Sequence, residues 1–194
     1  MDFSRLDKWI DAMGAEFVED LRNWIAIPSV LSEEAAPGAP FGRPVREMLD
    51  QAMADARRYG FSVRDFDGYC CDISMGAGER TLGILGHLDV VPGGDGWSTP
   101  PFSLTLRDGR AFGRGVMDDK GPALAALYAM RAVKDCGFQL RDTVRLILGC
   151  DEETGMTDMA HYVRTADRLP DYGFSPDAEF PVINIEKGGL HALL

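Results

Sequence analysis

Two nearly continuous apolar runs constrain this 194-residue chain more than any other feature of its sequence. Residues 81–86 read Thr-Leu-Gly-Ile-Leu-Gly, and residues 143–149 read Thr-Val-Arg-Leu-Ile-Leu-Gly. Short aliphatic runs that end in glycine are typical of strands buried on both faces. Such strands need helices packed on both sides of their sheet, so the two runs predict an α/β fold.

Amphipathic helices are predicted around these strands. In residues 3–27 apolar side chains recur every three or four positions, and Pro28 ends the pattern because proline disfavours helical geometry in the residue before it. The other predicted helices span residues 43–59, with Gly60 as a left-handed cap, 121–136 and 156–165.

Shorter β-like runs complete the pattern. They span residues 61–66, 69–75, 102–106, 111–112, 172–174 and 182–185, and Asp108-Gly109 indicates a hairpin turn. Helices that alternate with buried strands predict a mostly parallel sheet sandwiched by helices. No linker or internal repeat divides the chain, so we expect residues 1–194 to form part of one domain.

Composition narrows the class of function. Lys and Arg number 20 against 31 Asp and Glu, and this net charge of −11 disfavours nucleic acid or an anionic membrane as a partner. The apolar runs are shorter than the roughly 18 residues of a membrane-spanning helix, and the first residues lack the pattern of a secretory signal. We therefore expect a cytoplasmic protein whose four cysteines, without Cys-x-x-Cys spacing, are reduced core thiols.

Histidine and acidic side chains occur at four places where strands end or helices begin. They are His87 and Asp89, Asp118 and Asp119, the run Asp151-Glu152-Glu153, and Asp177. Each place has an ordinary alternative: a hydrogen-bonded strand end, helix caps, a solvated acidic face and a turn former. Functional groups gather at the carboxyl edge of α/β sheets, so we expect these side chains, all three acids of the run included, to face one cleft. One imidazole and several carboxylates suit zinc, with manganese or cobalt as alternatives.

Four motifs with these residues resemble those of the co-catalytic zinc aminoacylases, carboxypeptidases and dipeptidases, and most of all the PepV-like Xaa-His dipeptidases. The motifs span residues 86–92, 113–122, 151–155 and 175–181, in the family's order and spacing. The resemblance implies the N-terminal part of a zinc-peptidase catalytic domain, which is incomplete and lacks the family's lid domain.

The resemblance also implies a metal-ligand set for two divalent ions. Asp118 would bridge the ions, His87 and Asp177 would complete the site of one, and Glu153 would bind the other. Aspartate at position 177, where carboxypeptidases of the family have glutamate, favours the aminopeptidase and dipeptidase members.

Two further roles follow from the same resemblance. Glu152 would be the general base in the hydrolysis of a dipeptide by a two-metal-activated water, and Asp89 would orient His87. The family completes its second ion with a late histidine, to which neither His161 nor His191 corresponds. Its lid domain supports dimerisation in many members, so a homodimer is expected for a full-length parent.

We therefore expect this chain, as a truncated or incomplete product, to be inactive by itself although its parent is a metallo-dipeptidase. Two alternatives stay open. The parent could hydrolyse N-acyl amino acids, or the chain could be a non-catalytic fragment that serves as a metal-binding or interaction module.

Overall fold

A five-stranded sheet with helices on both faces organises the protein. The computed structural model describes residues 3–178, 181–185 and 188 of the chain. Its helices are α1 (Ser4–Ala26), α2 (Arg43–Arg58), α3 (Lys120–Asp135) and α4 (Thr157–Thr165). Its strands are β1 (Ser62–Phe66), β2 (Cys70–Met75), β3 (Thr81–His87), β4 (Thr105–Arg107), β5 (Arg110–Phe112), β6 (Thr143–Gly149) and β7 (Tyr172–Phe174).

The strand order in the sheet is β1-β2-β6-β3-β7, and β4 pairs with β5 in a separate hairpin. The two long apolar runs form the adjacent parallel strands β3 and β6, and β7 extends the parallel half from β3. Strands β1 and β2 are antiparallel, as are β2 and β6. The sheet is therefore mixed. The short turn between β1 and β2 explains their antiparallel pairing, because parallel strands need a long crossover connection.

Side chains of the central strands alternate between two cores. Leu146 and Leu148 of β6 belong to the larger core, which also contains side chains of α1, α2 and α3. Ile147 points to the opposite face, where it packs in a cluster with Tyr162 of α4. This alternation confirms the predicted α/β fold with helices on both sides of the sheet.

The predicted elements agree with the structure to within a few residues, with one exception. Gly60 has the left-handed φ of 78° expected of a helix cap, and Asp108 and Gly109 turn the β4–β5 hairpin with φ of 52° and 70°. The strand predicted over residues 182–185 is wrong, because these described residues have no regular structure and are exposed. Residues with a preference for strands form one only where a neighbouring strand packs beside them.

All four thiols are buried and free of disulfides, as predicted. Burial raises the pKa of the Cys70, Cys71 and Cys150 thiols above the usual value. Among the described helices, none has the length and apolar character required to cross a membrane.

Candidate metal centre

The parallel register brings the predicted site residues to one edge of the sheet. His87 is the last residue of β3, and its register partner on β6 is Gly149. The loops that follow β3, β6 and β7 therefore leave the sheet at its carboxyl edge, where parallel strands present their functional groups. The loop before α3 brings Asp118 to the same place, within 3.0 Å of His87.

His87 lies at the centre of a carboxylate cluster. Its Nε2 atom is 3.0 Å from Oδ1 of Asp118, 3.4 Å from Oδ2 of Asp177 and 4.0 Å from Oε2 of Glu152. Among the described residues, two groups of side chains could each hold a metal ion. Within each group the potential donor atoms all lie within 4.8 Å of one another, and both groups include His87. The first is His87, Glu152 and Asp177, and the second is His87, Asp118 and Glu153.

Asp89 contacts both His87 and the backbone of Glu152 and Glu153. The Nδ1 atom of His87 is 3.0 Å from the carbonyl oxygen of Asp89, which accepts a hydrogen bond when Nδ1 carries the proton. In the neutral ring, Nε2 then has a free lone pair that faces the carboxylates. The carboxylate of Asp89 accepts the backbone N–H groups of Glu152 and Glu153 at 3.2 and 3.1 Å.

The electrostatics of this cluster favour a bound cation. Burial and neighbouring carboxylates raise the pKa of Glu152, Glu153 and Asp177. For His87, burial lowers the pKa, but the surrounding aspartates outweigh it and raise the pKa to about 10. Since one imidazole and several mutually repelling carboxylates are a donor set that suits divalent metal ions, the residues fit such a group.

Asp119 is a residue whose role the sequence did not reveal. It is fully buried, and its Oδ2 atom accepts the backbone N–H of His87 at 3.0 Å. A Cβ on Gly86 would lie 2.6 Å from this oxygen, so glycine makes the approach possible. The helix-cap interpretation fails for Asp119, because its side chain caps none of the described N–H groups of α3.

Lys120, the next residue, is also fully buried, and burial lowers its pKa to about 7. Its Nζ atom donates to the carbonyl oxygens of Trp24 and Ile27 at 3.0 and 2.6 Å, which ties the start of α3 to the end of α1. Ser29 ties the same region to the loop after β3, because its hydroxyl donates to the carbonyl of Leu88 at 2.6 Å.

The prediction that all three acids of the run Asp151-Glu152-Glu153 face the cleft is wrong for Asp151. Its side chain is buried and accepts hydrogen bonds from the N–H and hydroxyl of Thr157 at 3.0 and 2.5 Å, and from the hydroxyl of Thr154. Asp151 therefore closes the turn that leads into α4. Hydroxyl residues three and six positions later are the sequence signal for such a turn.

A model of peptidase family M20/M25/M40 matches residues 83–193, more than half of the chain. The chain belongs to this family. The predicted family is therefore confirmed, and the matched span contains the whole carboxylate cluster around His87. Metallopeptidases of family M20 use divalent metal ions, in agreement with the donor set.

Two bacterial relatives are similar over most of this M20 chain. A putative dipeptidase, YtjP, of Bacillus subtilis is 42% identical over 180 residues, which are 92% of this chain and 39% of the relative. A Beta-Ala-Xaa dipeptidase of Lactobacillus delbrueckii subsp. lactis is 40% identical over 173 residues, 88% of this chain and 37% of the relative. The chain thus spans less than half the length of both.

The fold is similar to that of a solved human enzyme. The structure of human carnosine dipeptidase 1 matches with a TM-score of 0.77 and 28% sequence identity. The match covers 90% of this chain and 41% of the human one. The predicted catalytic-domain fold is confirmed by this similarity.

Proposed function

We propose that the full-length protein is a metal-dependent dipeptidase and that this chain supplies most of its metal centre. The observation that carries the proposal is the convergence of His87 with the carboxylates of Asp118 and Asp177 at one sheet edge, beside Glu152 and Glu153. The names of the relatives support a dipeptide as the substrate. Homodimerisation and a cytoplasmic location stay predictions from the sequence.

We assign the donors to two ions as the family resemblance implies, and His87 belongs to both groups of nearby donor atoms. His87 and Asp177 would hold one ion and Glu153 the other. Asp118 would bridge them, since its donor atom lies within 4.8 Å of those of both His87 and Glu153. Zinc suits these ligands, and manganese and cobalt are the alternatives.

When bound, the two cations would polarise the scissile carbonyl and acidify the attacking water. Glu152 would take a proton from that water and deliver it to the leaving amine. Its side chain is 42% exposed, so it is open to the cleft, and its pKa is raised by burial and by neighbouring carboxylates, as suits a base. The carboxylate of Asp89 would hold the backbone N–H of Glu152. The carbonyl oxygen of Asp89 would orient His87 through Nδ1.

The substitution Glu152→Gln tests this assignment in the full-length protein. The amide keeps the shape of the side chain but cannot accept the proton, so we expect kcat for a dipeptide to fall by on the order of 10²–10⁴. Metal content, measured by elemental analysis, should stay unchanged. Glu79→Gln, at an exposed position, is the control and should keep both.

A near wild-type kcat in Glu152→Gln would remove this residue from the role of general base.

The substrate class is tested separately with the wild-type protein. A panel of dipeptides and N-acyl amino acids should show turnover of dipeptides, whereas preferential cleavage of N-acyl amino acids would contradict the proposed substrate.

A further inference from the structure

Four successive backbone N–H groups, those of residues 150–153, point at two buried carboxylates. We call residues 150–153 the acidic loop. Its first two N–H groups donate to Oδ2 of Asp158 at 2.6 and 3.0 Å. Its last two donate to Oδ1 and Oδ2 of Asp89 at 3.2 and 3.1 Å. The direction in which the acidic loop leaves β6 is therefore fixed by two side chains.

Asp158 reaches the acidic loop from α4, on the sheet face opposite α3. It lies in the first turn of α4 and is 1% exposed. Its second oxygen, Oδ1, accepts the N–H of Met159 at 2.6 Å. Both oxygens are thus occupied by backbone donors, and the side chain belongs to neither group of potential metal donors around His87.

Gly149 makes this arrangement possible. It ends β6, and a Cβ at this position would overlap Oδ2 of Asp158. The neighbouring strand β3 has the same arrangement on the other face, where Gly86 leaves room for Asp119 to accept the N–H of His87. The ends of β3 and β6 are therefore each held by a buried aspartate that packs against a glycine.

We propose that Asp158 is a positioning residue of the metal centre, which acts through the backbone of the acidic loop to aim Glu152 and Glu153. This inference rests on the proposed function, because it takes Glu153 as a ligand and Glu152 as the base. Groups that orient metal ligands typically change metal affinity or activity by 10–100-fold when they are removed. A site displaced by more than about 0.5 Å loses much of its function.

The test uses Asp158→Ala in the full-length protein. The substitution leaves two N–H groups of the acidic loop without acceptors, so we expect zinc affinity, measured by calorimetry, to fall about 10–100-fold and kcat to fall with it. In the metal-free protein, hydrogen exchange at residues 150–153 should become faster. Asp158→Asn retains one oxygen for the two N–H groups and should recover part of the lost affinity.

Two further variants separate positioning from stability. Asp20→Ala removes another buried carboxylate, one that is bonded to Tyr59 and Tyr128. It should lower Tm without changing zinc affinity or exchange in the acidic loop. Gly149→Ala pushes Asp158 away, so it should reproduce the loss of affinity, and its effect should be less than additive with that of Asp158→Ala.

Wild-type zinc affinity and slow exchange in a folded Asp158→Ala protein would overturn the inference. If that variant does not fold, Asp158→Asn and Gly149→Ala provide the same comparison, and wild-type behaviour in both would overturn it. Glu153→Ala is measured in parallel. Unchanged zinc affinity in Glu153→Ala would reject the proposed ligand set. Hydrogen exchange in metal-free Asp158→Ala tests the positioning of the acidic loop independently of that ligand set.

Discussion

At the residue scale, His87 is held by contacts on three sides. Its backbone N–H donates to Asp119, its Nδ1 atom faces the carbonyl of Asp89, and its Nε2 atom faces Asp118 and Asp177. The side chain is only 3% exposed, so the ring has little freedom to turn. Of the two neutral tautomers, the one with the proton on Nδ1 leaves Nε2 available to a cation.

The bridging role proposed for Asp118 predicts an order of metal loss. Asp118→Ala should retain less bound metal than His87→Ala in the full-length protein, because one carboxylate would neutralise charge on both ions. Elemental analysis after gel filtration measures the difference, with Asp95→Ala, at an exposed acidic position, as the control. Two tightly bound ions in Asp118→Ala would contradict the bridge and direct attention to Asp119.

At the element scale, Asp20 joins the three helices that cover one face of the sheet. It lies on α1 and accepts hydrogen bonds from the hydroxyls of Tyr59, which follows α2, and Tyr128 of α3. Arg58 pairs with it at 2.8 Å. Burial raises the pKa of Asp20, but the hydrogen bonds from Tyr59, Tyr128 and Arg58 outweigh burial, and the pKa lies below the usual value.

The lowered pKa predicts how Asp20 contributes to stability as pH changes. Because the folded pKa lies below the unfolded value of about 3.9, the contribution is complete above that pH and is lost as pH falls through the folded pKa. The free-energy difference of unfolding between the wild type and Asp20→Asn should therefore shrink below about pH 4. Urea unfolding at several pH values measures it, and a difference independent of pH would contradict the prediction. Asp167→Asn, at a side chain 87% exposed, is the control.

The sequence predicted those elements whose formation depends on burial alone. Strands β3 and β6 were identifiable because burial on both faces requires a continuous apolar run. The contacts of Asp119 and Asp158 were not, since each depends on a strand register that places a distant carboxylate against a glycine. The three adjacent acids look alike in sequence, and the inward turn of Asp151 is marked there only by its two hydroxyl partners, Thr154 and Thr157.

At the scale of the whole molecule, the proposed site concentrates carboxylates in a protein whose net charge is already −11. Without a cation, the raised pKa values of Glu153 and Asp177, caused first by burial and then by neighbouring charges, show that ionised carboxylates are disfavoured there. A cation that binds the folded state relieves this repulsion. Metal binding and the stability of the protein are therefore coupled.

This coupling predicts a stabilisation by metal. At free metal a hundredfold above Kd, binding at one site adds about 2.7 kcal/mol to the free energy of unfolding, so Tm should rise by several degrees. Thermal denaturation of the full-length protein with zinc and with a chelator measures the shift. His87→Ala should show a smaller shift, and an unchanged Tm after complete metal removal would contradict the prediction.

The buried thiols give the two helical layers separate chemical reporters. Cys70 and Cys71 are neighbours on β2, but Cys71 belongs to the core under α1, α2 and α3, whereas Cys70 packs beside Tyr162 of α4. An alkylating reagent reaches either sulfur only when its own layer lifts from the sheet, because both thiols are fully buried. The ratio of modification at these adjacent positions therefore tells which side of the molecule opens first.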